Sequence, residues 1–180
     1  MLPYLIAAVG VSAIAAYTDL RTGLIPNWLT LGGIAGGVLG HLAQGLYAED
    51  WHAGSYAFAA SVLGIVLCSL GPCVLFVKGG MGGGDVKLFA ALGALCHPML
   101  GIEAQLYSFV IVALVVCAKL AADGRLLSVL GASLLLAINP LLARERRRLP
   151  PAEVSRSVRL GPAIFAATLL TSGLYGYAAV

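Results

Sequence analysis

Between Met1 and Thr18 the chain carries no charged side chain, and apolar stretches of that kind recur along most of its length. A helix needs about 20 largely apolar residues to cross the hydrocarbon of a bilayer. Backbone groups inside lipid must find partners within the protein, so segments of this length should span as helices. The supply of charge points the same way. Of the 180 residues, 11% are charged and 60% hydrophobic, with a mean hydropathy of +0.95. A soluble domain of this length needs a charged surface that so few residues cannot make. The expected fold class is all-α: a polytopic membrane protein forming a single membrane-embedded domain over residues 1–180.

Candidate spans are 2–18, 29–47, 54–77, 87–102, 104–122 and 161–179. A further apolar stretch, 126–143, is ambiguous. The first segment lacks the basic start of a secretory signal peptide and ends in Asp19 rather than at a small-residue cleavage site. It therefore reads as a retained span. The positive-inside rule sets the orientation. With the N-terminus outside, the loop 19–28 with Arg21 faces the cytoplasm, and 48–53, which has no Lys or Arg, faces out. The loop 78–86 faces in, flanked by Lys78 and Lys87, and a turn near Glu103 faces out. If 126–143 spanned, six of the eleven basic residues, from Arg144 to Arg159, would lie outside. As an interfacial or re-entrant helix, broken near Asn139-Pro140, it keeps all eleven inside. The rival is a non-spanning 87–102, broken by His97-Pro98. The expectation is about six transmembrane helices plus one interfacial or re-entrant helix, with 144–159 as a basic cytoplasmic linker. That linker is a topology determinant that also touches anionic lipid, and nucleic acid is not an expected partner.

The glycines of 29–47, namely Gly32, Gly33, Gly36, Gly37 and Gly40, form overlapping small-xxx-small pairs and predict close helix packing. Cys68, Cys73, Cys96 and Cys117 lie inside apolar segments with no CxxC pair, so they read as small packing residues rather than metal ligands. His41, His52 and His97 are expected scattered on the outer side as interfacial polar residues. No metal and no cofactor are expected.

Two ionisable residues stand apart. Asp19 ends the first span in Tyr17-Thr18-Asp19-Leu20-Arg21. Asp85 follows Gly79-Gly80-Met81-Gly82-Gly83-Gly84 and opens the fourth helix. Both fall at cytoplasmic helix ends. The plain readings are an N-cap for Asp85 and a solvated flank, or a partner for Arg21, for Asp19. A carboxylate at a helix C-terminus opposes the dipole, which leaves Asp19 the harder to explain. If the two meet, they cannot both ionise easily, and one can hold a proton while the other acts as a base on water. The glycines would let a substrate backbone approach closely. No Gly-Lys-Ser/Thr comes after them, so they are not a phosphate-binding loop.

These residues resemble a known family. Gly82-Gly83-Gly84-Asp85 reads as the GxGD motif of membrane aspartyl proteases. Asp19-Leu20-Arg21 with Ile25-Pro26-Asn27 is similar to the first-aspartate motif of type IV prepilin peptidases. Val86-Lys87-Leu88 resembles the residues after the second aspartate in that family, and Leu160-Gly161-Pro162-Ala163-Ile164 the start of its last span. The resemblance implies an aspartyl endopeptidase of the inner membrane, its active site facing the cytoplasm, that removes leaders from prepilin or prepilin-like proteins. It resembles the short, peptidase-only form found with Flp pilus systems. Asp19 and Asp85 would be the catalytic pair. Gly82, Gly83, Gly84, Lys87, Arg21, Pro26 and Asn27 would support the site or bind substrate. For Lys87 and Arg21 a simple positive-inside flank stays open, and for Pro26 and Asn27 a plain helix-starting turn. The alternative function is a small transporter or accessory protein whose aspartates relay protons, which a scarcity of mid-membrane ionisable residues counts against.

Overall fold

A computed structural model describes residues 2–47, 51–124 and 159–178 of the chain. The regular structure among them is helical: α1 (Leu2–Thr22), α2 (Asn27–Tyr47), α3 (Trp51–Val77), α4 (Gly83–Ala122) and α5 (Gly161–Ala178). The expected interfacial segment 126–143 lies outside the described residues, as does the basic linker apart from Arg159. Two compact units divide the chain. The first comprises residues 1–111 and 159–180 and contains the helix packing around both aspartates. Of the second, 112–158, the described part is the end of α4 and the short turn after it.

The helix ends arise from local chemistry. Gly23 adopts φ 70° and its N–H returns to the Asp19 carbonyl at 2.9 Å, closing α1 with a left-handed cap. Pro26 cannot donate, but its carbonyl accepts from Leu29 and Thr30 and so starts α2. At the end of α3, Gly79 at φ 73° and Gly80 donate to Phe76 and Leu75 in a Schellman arrangement.

α1, α3 and α4 are long and apolar enough to cross a membrane. α2 is as long as α1 but richer in glycine, and α5 is apolar over the shorter stretch Gly161–Tyr175. Leu63, Val66, Leu70 and Val74 of α3 point outward, a surface suited to lipid rather than water. The expected turn at Glu103 is corrected. The interruption of α4 falls at His97, φ 64° and ψ 167°, ahead of Pro98. Proline excludes the α conformation from the residue before it and has no N–H to continue the ladder. Glu103 is instead a helix residue that accepts from the Tyr175 hydroxyl at 3.4 Å. The Ala94 carbonyl, four residues before Pro98, receives the Ser61 hydroxyl at 2.8 Å. His41 Nε2 meets the neighbouring Leu95 carbonyl at 3.3 Å. The kink is tolerated in an apolar bundle because other helices supply these donors.

The first half of α4 is the core: Leu88 to Cys96 are all buried. α2 presents a stripe of buried positions at every fourth residue: Leu29, Gly33, Gly37, His41 and Gly45. A Cβ at Gly37 would lie 2.6 Å from the Ala94 carbonyl carbon, whereas one at Gly32 or Gly36 would meet nothing. The glycine face is therefore narrower than the sequence pattern indicates. On α3, a Cβ at Gly64 would sit 2.1 Å from the Gly93 oxygen of α4.

Two expectations change. His41 and His97 are not scattered: their ring centroids lie 4.4 Å apart, and Tyr4 stacks on His41 at 3.9 Å. His41 is buried within the bundle rather than interfacial. Of the cysteines, Cys68 and Cys96 pack in the core, whereas Cys73 and Cys117 face outward, and all four are free thiols.

The backbone contact at Gly64 yields a direct expectation. Gly64→Ala forces α3 off α4 and lowers stability by about 1–3 kcal/mol or more, while Gly32→Ala is neutral or slightly stabilising. Thermal unfolding of the two variants in detergent separates them; equal melting would contradict the packing.

Candidate active site

Asp19 belongs to the buried face of α1, in line with Leu5, Ala8, Ser12, Ala15 and Ala16. This spacing carries it inward, and it is 7% exposed. It is neither a solvated flank nor the partner of Arg21, whose guanidinium lies 5.1 Å from the Tyr17 ring centroid. The partner is the backbone of α5. Gly161 N–H donates to Asp19 Oδ2 at 3.0 Å. The approach is so close that a Cβ at position 161 would lie 2.8 Å from both Cβ and Oδ2 of Asp19. Arg159 donates to the Asp19 carbonyl at 2.8 Å and also to the Leu20 carbonyl.

Asp85 occupies the first turn of α4, ahead of the apolar stretch that begins at Leu88, and so lies at the boundary rather than within the span. The Gly82 carbonyl accepts from Val86 N–H, and the Gly82 N–H donates to the Asp85 carboxylate. This is half of a capping box, with glycine where a hydroxyl residue usually stands. The N-cap expectation is thus near the mark, one step displaced: Gly82 takes the cap position and Asp85 serves it from the third helical residue. A Cβ at Gly82 would come within 3.1 Å of Asp85 Oδ2.

The two motifs meet in space. Gly84 faces Ile25, with only 3.2 Å between the Ile25 Cβ and where a Gly84 Cβ would be. Lys87 Nζ donates to Asn27 Oδ1 at 2.8 Å. Lys87 therefore ties the start of α4 to the start of α2, rather than acting only as a flanking charge. Pro26 sets the first turn of α2 through its carbonyl, and Gly83 lies against the Phe76 ring. Burial, and then the charge of Asp19, push the Asp85 carboxyl up to about 6, against the opposing pull of the Gly82 N–H. A carboxyl that holds its proton beside a second carboxyl is suited to divide acid and base roles with it.

Arg159 and Gly161 are the site residues that sequence reasoning passed over in this role. Gly161 was visible only as part of a motif at the start of a span, and Arg159 only as one of a basic run. Neither carries a signal of what it faces, because a backbone N–H has no letter in a sequence. Among the described residues no group of three or more His, Cys, Asp or Glu is placed to hold a metal ion.

Residues 6–117, more than half of the chain, match the type IV leader peptidase family. Both aspartates lie within that region. The chain is also 38% identical over 96 residues to leader peptidase HopD of Salmonella typhimurium, a match covering 52% of this chain and 59% of that protein's length. No solved structure matches.

The raised Asp85 carboxyl has a consequence for stability. The fold prefers its neutral form, so its contribution is complete below the ordinary carboxylate range and is lost as pH rises through about 6. Asp85→Asn removes that loss. The variant should match the parent near pH 4 and exceed it by about 1 kcal/mol at pH 7–8, allowing for partial solvent screening. Denaturation in detergent at the two pH values checks this.

Proposed function

The chain belongs to the type IV leader peptidase family, and on that basis we propose that it is an aspartyl endopeptidase cleaving leaders from prepilin or prepilin-like proteins. The observation that carries the proposal is the convergence of two sequence motifs on one site. Ile25 packs on Gly84, Lys87 reaches Asn27, and Asp85 lies within the electrostatic reach of Asp19.

In the proposed reaction one carboxylate takes a proton from water as the water oxygen bonds to the peptide carbonyl carbon. The proton held by the other carboxyl goes to the carbonyl oxygen. Collapse of the tetrahedral intermediate breaks the C–N bond. The leaving nitrogen receives the proton taken from water, and the carbonyl oxygen's proton returns to the pair. Water is consumed and both carboxyls regain their starting states, so no metal and no covalent intermediate enters the balance. Of the three glycines, Gly82 is the exposed one and leaves Asp85 open to an extended substrate backbone, while Gly83 and Gly84 let Phe76 and Ile25 pack against the start of α4. Arg21 is exposed beside Tyr17 and Lys87 is exposed at the start of α4, and in this reading both are available to a substrate.

The same reading sets the chain in the inner membrane as a single peptidase domain of about six spans, with Asp19 and Asp85 on the cytoplasmic side. The positive-inside count supports that orientation. A proton-relay transporter is less suited to this chain: the apolar stretches Leu2–Thr18 of α1 and Trp51–Val77 of α3 contain no Asp, Glu, Lys or Arg along which protons could move.

Asp19→Asn and Asp85→Asn, each made singly, should lower cleavage of a prepilin-like substrate by at least about 100-fold. Gel mobility and the new N-terminus report the cut. A chelator should leave the rate unchanged. Either variant cutting at the parental rate would remove the dyad assignment.

A further inference from the structure

The proposed reaction treats the two carboxyls as interchangeable, but their surroundings differ. Asp85 is served by the start of its own helix. Asp19 sits on the last turn of α1, where the helix exposes carbonyls and disfavours a carboxylate. Its support comes from a different element, far along the chain. Gly161 is the first residue of α5, and the helix begins with Ile164 N–H donating to the Leu160 carbonyl at 2.9 Å. The positive end of α5 therefore points at the Asp19 carboxylate. Gly161 N–H occupies Oδ2, and the bare Cα of Gly161 rests against the Asp19 side chain. Arg159 meets two carbonyls of α1's last turn, those of Asp19 and Leu20. Gly23 N–H shares the first of them, so the turn bearing Asp19 is held from both sides. These contacts leave Oδ1 as the Asp19 oxygen without a bond to the start of α5.

We propose that Gly161 and Arg159 are positioning residues that lock the Asp19 carboxylate in one orientation, with Oδ1 presented to the water that Asp19 activates. This rests on the dyad reading and deepens it by assigning the start of α5 to the catalytic apparatus. Both residues lie beyond the family-matched region 6–117. A misplacement of about 1 Å in a catalytic group costs on the order of 100-fold in rate. A Cβ at position 161 demands a shift of that size, because it would sit 2.8 Å from Asp19 Oδ2.

The test uses the full-length protein in detergent or native membranes, with a prepilin-like protein carrying its leader as substrate. Gly161→Ala should lower kcat by about 100-fold with an unchanged apparent KM, because the substrate contacts are untouched. Arg159→Gln, a shorter and neutral donor, should lower kcat by about 10-fold, and Arg159→Lys, which keeps the positive charge at the carbonyl end of α1 as well as a donor, should recover most of it. A structural role alone would not give this split between kcat and KM or the rescue by lysine. Parental kcat in Gly161→Ala and Arg159→Gln, alongside an inactive Asp19→Asn, would overturn the positioning role and leave the dyad standing. Should Gly161→Ala fail to fold, the Arg159 pair decides: Arg159→Gln at the parental kcat overturns the proposal. Asp19→Asn cutting at the parental rate would overturn the dyad reading beneath it.

Discussion

A carboxylate taken out of water at the end of an apolar helix must be met by donors, or the helix will not bury it. Asp19 is met by Gly161 N–H, and much of the arrangement depends on that bond. α1 offers Asp19 only the disfavoured end of its own dipole, so another helix has to bring its positive end to the same point. That helix is α5, and it can come close enough because position 161 has no side chain. The buried hydroxyls described on this pair of helices need no such help. The hydroxyls of Ser12, Thr168 and Thr171 each bond a carbonyl one turn back in their own helix. The α1–α5 contact is thus specified at one end by a polar bond and along its length by small, self-satisfied side chains.

The same economy governs the rest of the bundle. Lipid supplies little hydrophobic incentive for helices to associate, so backbones must approach until dispersion and hydrogen bonds suffice. Gly37 on Ala94, Gly45 on Gly54 and Gly64 on Gly93 do this. Close approach also lets Ser61 and His41 reach the carbonyls around the α4 kink. The kink and the Asp pair occupy different ends of the helices. His97 lies twelve residues beyond Asp85, about 18 Å along the axis. The kink and Asp85 are therefore separated by the most deeply buried segment of α4.

The helical character, the membrane class and the two aspartate motifs were legible in the sequence, whereas whether the motifs meet was not. Asp19 is the clearest case: its place at a helix end marks it as unusual, while its burial on the face of Ala8, Ser12 and Ala15 emerges only from the helix packing. What was not legible depends on partners. Tyr4, His41 and His97 lie on three helices, and nothing in their spacing shows that the rings gather. Gly32 and Gly33 look alike in a pattern of small residues, yet only Gly33 has α4 beside it. The charged Glu103 suggested a turn there, whereas the missing N–H of Pro98 places the break in α4 at His97. Arg159 shows the same limit from the other side, since charge counting gives it a compartment but not the α1 carbonyls it holds.

The central claim is that Asp19 and Asp85 feel each other as one site. Infrared titration of the carboxyl band, comparing the parent protein with Asp19→Asn and using Asp85→Asn to identify the band, tests this most directly. The account predicts that Asp85 titrates near pH 6 in the parent, and at lower pH once the charge of Asp19 is removed, while burial keeps it above the ordinary carboxylate range. An Asp85 midpoint that does not move in Asp19→Asn would contradict it.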